Sequence, residues 1–224
     1  MERLSFSALV QEVLHFFTHI EKGFLLTTKS FLIRPGASSV EFLQGKRRKF
    51  QKPISYFLIW TGLYILAHNF LIHHFGYHLV IDKPAAADFQ EKGNLILRTH
   101  FTVFIVPSII CSATILYYLL AKPRFNFVEV LTLCFYGGGT YLMMLFVSDI
   151  LIGAIFRYNI ISLNVFLWQT TLSALYNFWV SYDFFKRASI RFLWLRLVLA
   201  SLFISFAGLM ILLYLPQWWV KLVG

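Results

Sequence analysis

Acid is what this sequence has least of. Ten Asp and Glu stand against 20 Lys and Arg, and charged residues together make up 13% of 224 positions. A soluble domain carries about 25%. Cysteine is nearly absent too. Cys111 and Cys134 both lie inside apolar runs, and no C-x-x-C occurs, which excludes a zinc ribbon and a thioredoxin-type motif and gives no basis for a disulfide. Both read as small buried hydrophobes. There is no G-x-S-x-G, no Walker-type phosphate loop and no H-E-x-x-H, so the known signatures of nucleophilic, nucleotide-dependent and zinc-hydrolase chemistry are missing. Residues 1–20 include Glu2, Glu12 and two His. That leaves no uncharged stretch before a cleavage site, so no signal peptide is predicted.

What is abundant is apolar surface. Hydrophobic residues make up 58% of the chain, 25 of them Phe, and the mean hydropathy is +0.69. Crossing a bilayer takes about 20 residues. Five stretches qualify, at about 54–75, 101–121, 128–156, 162–185 and 192–215. The expected fold is therefore all-α: a polytopic membrane bundle of five transmembrane helices.

The net charge of +10 follows the ends of these stretches, a pattern of membrane topology and not of nucleic-acid binding. Residues 1–53 hold nine Lys and Arg, and loops 122–127 and 186–191 add five, which places fourteen on one side. Lys83, Lys92, Arg98, Arg157 and Lys221 make five on the other. Arg196, just inside the last stretch, can snorkel to the more basic side. This bias predicts a cytoplasmic N-terminus and an outer C-terminus. Lys46, Arg47, Arg48, Lys49 and Lys52 abut the first apolar stretch and are expected to bind the anionic inner leaflet, at about 1 kcal/mol each. Trp218 and Trp219, after Pro216, read as an outer aromatic belt.

Residues 4–33 are too polar to span. Phe6, Leu9, Val10, Val13, Phe16, Phe17 and Ile20 share one helical side, which predicts an amphipathic helix on the membrane surface or against the bundle, stopped by Pro35-Gly36. Ser38-x-x-Glu41 has capping-box spacing and predicts a second short helix over about 39–50. The division is thus 1–53 as a basic interfacial segment and 54–224 as the bundle.

The segment from Gly23 to Pro53 reads "GFLLTTKSFLIRPGASSVEFLQGKRRKFQKP". Its order of Gly23, Thr27 or Thr28, Arg34-Pro35-Gly36, Gly45-Lys46-Arg47 and Pro53 resembles the bacterial membrane-protein family known as domain of unknown function 3667. The resemblance implies a multi-pass protein of a bacterial inner (cytoplasmic) membrane. Members often carry an N-terminal zinc ribbon, whose cysteines this chain lacks, so no metal or other cofactor is implied. The family has no assigned activity.

Candidate sites are few. Glu129 and Asp149 lie 20 residues apart in the third stretch, about 30 Å along a helix, so both fit at opposite interfaces. Asp183 is also expected at an interface. Midway between the first two stand Gly137, Gly138 and Gly139, read either as a small-residue surface for close helix packing or as a break lining a cavity. Gln169, Asn177, Tyr136 and Tyr141 would add polar groups to such a cavity. His68, His73, His74 and His78 cluster near the end of the first stretch, and with Asp82 they are weak candidates for metal, His74 and His78 sharing a helix face. His15 and His19 read as the polar margin of the amphipathic helix. The function expected is a non-enzymatic membrane protein organising anionic lipid, a membrane protein partner or a second copy of itself. A small transporter or channel with a midplane site at Gly137–Gly139 is the alternative, and a lipid-modifying enzyme a second one.

Overall fold

The computed structural model describes residues 23–77, 101–186, 188 and 190–223. The amphipathic positions Phe6–Ile20, His15, His19, His78, Asp82 and most of loop 76–100 lie outside the described residues.

The described residues form helices joined by short turns, with no strand among them. Its seven α-helices are α1 (Gly23–Ile33), α2 (Pro35–Leu43), α3 (Pro53–Phe75), α4 (Phe101–Leu116), α5 (Phe127–Asp149), α6 (Leu163–Phe185) and α7 (Leu193–Val223). A 3₁₀ turn spans Arg47–Lys49, and π turns extend α4 over Tyr117–Ala121 and α5 over Ile150–Ile155. Two segments, Arg47–Phe75 and Phe127–Ile155, are long and apolar enough to cross a membrane.

Local chemistry sets several boundaries. Pro53 occupies the first turn of α3, where its missing N–H has no intrahelical partner to lose. Glu129, expected at an interface, closes a capping box at the start of α5, its Oε2 accepting from the Asn126 N–H at 2.8 Å. Ser162 caps α6 by accepting from the Val165 N–H. Helix α7 continues past Pro216, beyond the expected end near residue 215, to Val223; the side chains of Trp218 and Trp219 lie outside the described residues.

The basic segment departs from expectation. Pro35 does not only end α1; it occupies the first turn of α2. The second helix therefore covers Pro35–Leu43 and not 39–50. Ser38 and Ser39 are buried inside it rather than capping it. Their hydroxyls donate to the carbonyls of Ser30 and Pro35. Glu41 pairs with Lys49 instead of reaching back to Ser38. Gly45 then turns the chain at φ +96°, a left-handed conformation that favours glycine.

Helix α5 is central, packing on α2, α3, α4 and α6, and its contact with α3 is the most extensive of any helix pair. One core lies between the segment and these helices. There Phe31 stacks on Tyr136 with centroids 4.0 Å apart, and Tyr56, Phe57 and Leu142 are fully enclosed. A second core joins α4, α5, α6 and α7 through Ala113, Leu116, Leu133, Phe184, Leu197 and Ile204. A small third one, around Leu71, Ile72, Tyr77 and Ile160, is tied by the Tyr77 hydroxyl to the Gly153 carbonyl at 2.7 Å.

Candidate functional site

Of the family motif, Thr27, Pro35 and Gly36 are buried, Gly23, Thr28 and Pro53 are half-buried, and the rest are exposed. Thr27 is fully buried; its hydroxyl donates to the Gly23 carbonyl at 2.6 Å and accepts from the Gln51 N–H at 2.8 Å. Gln51 is held again from α5, since the Tyr136 hydroxyl donates to its carbonyl at 2.6 Å. Thr28 accepts from Trp60 Nε1 at 3.3 Å, which joins α1 to α3. Tyr176 of α6 donates to the Phe31 carbonyl at 3.2 Å.

Gly36 is the tightest point. A Cβ there would lie 2.1 Å from the Phe184 backbone nitrogen and 2.2 Å from the Asp183 carbonyl carbon. Only glycine lets α2 approach the backbone of α6 this closely. The approach lets Asp183 of α6 act as the missing cap of α2: one carboxylate oxygen accepts from the N–H groups of Gly36 at 2.8 Å and Ala37 at 3.0 Å. A carboxylate at a helix N-terminus satisfies orphan donors and meets the positive end of the helix dipole. The other oxygen pairs with Lys186 at 2.5 Å.

The exposed motif residues are Arg34, Gly45, Lys46 and Arg47, and neighbouring cations outside the motif join them. Lys29, Arg34, Lys46, Arg47, Arg48, Lys49 and Lys52 are all exposed. Lys49 pairs with Glu41, whose carboxyl it holds below its ordinary pKa through their hydrogen bond. Arg47 lies over the Phe42 ring at 5.6 Å. Among the described residues, no other cation of this group forms an ion pair.

Gly137–Gly139 do not interrupt α5, which runs unbroken through them. A Cβ on Gly139 would fall 2.7 Å from the Tyr56 ring, one on Gly138 3.2 Å from the end of Ile109, and one on Gly137 3.7 Å from Val180. The broken-helix arrangement is therefore absent: neighbouring helices fill the space that the missing side chains leave. Next to them Thr140 shares a 3.0 Å hydrogen bond with the Tyr56 hydroxyl. Asn177 bonds Ser173 on its own helix. Gln169 points elsewhere, to Asp149.

Asp149, expected at an interface, is fully enclosed by protein, with 0% side-chain exposure. One oxygen meets His68 Nδ1 of α3 at 2.6 Å, and the other accepts from Gln169 Nε2 of α6 at 2.8 Å. Three helices thus converge on one carboxylate. The Tyr64 ring lies against the His68 imidazole, centroids 5.3 Å apart. Of the other weak metal candidates, His74 stacks on Phe70. No group of three or more His, Cys, Asp or Glu suited to a metal forms among the described residues. Cys111 and Cys134 are free and partly buried.

Sequence reasoning missed His68 with Asp149, and it missed Asp183 as a cap. The available signal was scarcity. Only four acids, Glu41, Glu129, Asp149 and Asp183, fall in the described residues, and each is engaged by a named group.

No curated protein and no solved structure matches the chain. Residues 21–65, which include α1, α2, the basic turn and the first half of α3, match the family described as "Protein of unknown function (DUF3667)".

Proposed function

We propose that the protein is a five-span membrane protein of a bacterial inner membrane, N-terminus cytoplasmic. Its family segment would form a fixed basic platform that organises anionic lipid or a membrane protein partner. Support for the membrane comes from the inverted surface. Leu58, Leu66 and Phe70 on α3, Val128 and Leu151 on α5 and its extension, Leu167 and Leu175 on α6, and Leu202 and Phe206 on α7 are all exposed. Exposed apolar surface on four helices of a bundle is what a lipid solvent stabilises and water does not.

The observation that carries the platform is the division of the motif. Its buried members pin the backbone to α3, α5 and α6, while its cations stay outside with almost no acid to neutralise them. Organised cations at the end of a span attract anionic headgroups, and because the backbone is fixed they need little ordering on binding.

The test is native mass spectrometry of the protein in nanodiscs of mixed phosphatidylglycerol and phosphatidylcholine. The wild type should retain phosphatidylglycerol above its bulk share. A Lys46→Gln, Arg47→Gln, Arg48→Gln variant should lose that enrichment while remaining folded. Equal enrichment in both would refute the platform.

Transport remains a second reading on one observation, the enclosed Asp149. Ionisable groups facing a bundle interior are expensive and commonly mark ion pathways.

A further inference from the structure

We propose that the outward face of α3 is an interface for a second copy of this chain, closed by Gly62 and by a hydrogen bond between the two copies of Asn69 across a two-fold axis. The inference rests on the membrane reading above and not on the basic platform.

Among the described glycines inside helices, Gly62 is the exception. Every other one has a neighbour within 4 Å of the position a Cβ would take, and those of α5 and its extension meet Val180, Ile109, Tyr56 and Ile160. Gly62 has nothing within 4 Å and is exposed. Glycine weakens a helix relative to alanine, and within the single chain no close contact offsets that loss. Asn69 lies seven residues on, two turns further along the same face. Its side chain is half-buried and forms no hydrogen bond with any described residue. The middle of α3 falls at Tyr64, so Asn69 sits about 7–8 Å past it, within the hydrocarbon of a centred span. Lipid offers that amide no hydrogen bond. Leu58 and Leu66 beside them are exposed as lipid-facing side chains should be. An open glycine and an unpaired amide are instead what helices in membranes use to meet each other.

A second copy satisfies both at once. Copies of one chain insert with the same orientation, so a two-fold axis along the membrane normal sets α3 beside α3 in parallel. A residue on the seam then meets itself at the same depth. Asparagine carries two N–H donors and a carbonyl acceptor, so it is complementary to its own image. Gly62, about 10 Å along the axis, removes the bulk that would hold the backbones apart. The seven-residue interval gives the pair a left-handed crossing. Helix α3 packs on α5 and its π extension, and among the described residues nothing covers Gly62 on the opposite side. Residues 1–22 and 78–100 suit that place poorly, since they carry five and six charged side chains that hydrocarbon excludes.

The full chain, fluorescently tagged and reconstituted in vesicles of phosphatidylethanolamine and phosphatidylglycerol, tests this. Retention through an alkaline carbonate wash checks the membrane reading separately. Single-molecule photobleaching over a series of protein-to-lipid ratios should show a monomer–dimer equilibrium. Asn69→Leu should weaken association about tenfold, and Gly62→Leu at least as much. Gly62 has no neighbour to displace and Asn69 no hydrogen bond to lose, so both variants should fold as the wild type does. Under copper–phenanthroline oxidation Gly62→Cys should form a disulfide with its copy, while Leu63→Cys, on the adjoining side of the helix, should not; the wild type, with Cys111 and Cys134, gives the baseline. A retained chain that stays monomeric at every ratio, dimers unchanged by either Leu substitution, or crosslinking at Leu63→Cys in place of Gly62→Cys would each overturn the dimer and leave the membrane reading standing. Release by carbonate would overturn both.

Discussion

Replacing Gly36 with alanine adds one methyl group where α2 meets α6. The new Cβ would sit 2.1 Å from the Phe184 nitrogen and 2.5 Å from its Cα. Carbon needs about 3.5–4.0 Å from such atoms, so the helices must separate by more than an ångström. Both partners are backbone, so no side-chain rotation relieves the clash. The separation stretches the 2.8 and 3.0 Å bonds from Gly36 and Ala37 to Asp183 beyond useful length. Overpacking of this kind costs about 1–3 kcal/mol, and loss of a helix cap adds about 1 kcal/mol. The expected destabilisation is therefore about 3 kcal/mol. Reversible unfolding in mixed micelles would measure it, with amide exchange at Ala37 reporting the local opening. Asp183→Asn should cost less alone, since an amide oxygen still accepts one bond. In combination with Gly36→Ala it should add little, because the contact is already broken. A Gly36→Ala variant within about 0.5 kcal/mol of wild type, or full additivity of the two changes, would refute the account of the cap.

Two further outcomes follow from the same geometry. Alanine at Gly139, Gly138 and Gly137 should destabilise in that order, with about 1–3 kcal/mol at Gly139, where the Cβ meets the Tyr56 ring at 2.7 Å, and almost nothing at Gly137 at 3.7 Å; equal effects in unfolding would refute close packing as their role. Glu41→Gln should change stability by less than about 0.5 kcal/mol, since its pair with Lys49 is largely exposed and such pairs are screened by water. Its depressed pKa makes that small contribution complete above the ordinary value of 4.5 and lost as pH falls through the lower folded value; a larger acid-side loss abolished by Glu41→Gln would show that the pair matters more than its exposure implies.

The long helices were legible because their signals are local. Apolar runs bounded by Pro53, Asn126 and Ser162 gave α3, α6 and α5 together with its π extension to within a residue or two. The segment before them was harder. Ser38 and Glu41 have capping-box spacing, but Pro35 supplies the helix start and Asp183, 147 positions from Gly36, supplies the cap. Spacing within a window cannot reveal a partner that tertiary packing brings from another helix. His68 and Asp149 failed for the same reason, being 81 positions apart. Counting residues along α5 puts Asp149 about 30 Å from Glu129. It could not say that α3 and α6 would close over that end.

The two candidate sites share their supports. Helix α3 starts beside the basic turn and carries His68 15 residues later, about 22 Å along its axis. Helix α5 holds Gln51 through Tyr136 and carries Asp149 13 residues on, about 20 Å away. Between the ends the two helices are fastened by Gly139 against Tyr56 and by Thr140 with the Tyr56 hydroxyl. A pair packed backbone to ring at that point resists sliding, because close-packed contacts are not continuously deformable. The end where His68, Asp149 and Gln169 meet is therefore tied to the platform end through a contact that does not slide. The arrangement suits a platform that stays in register with the two helices that carry it.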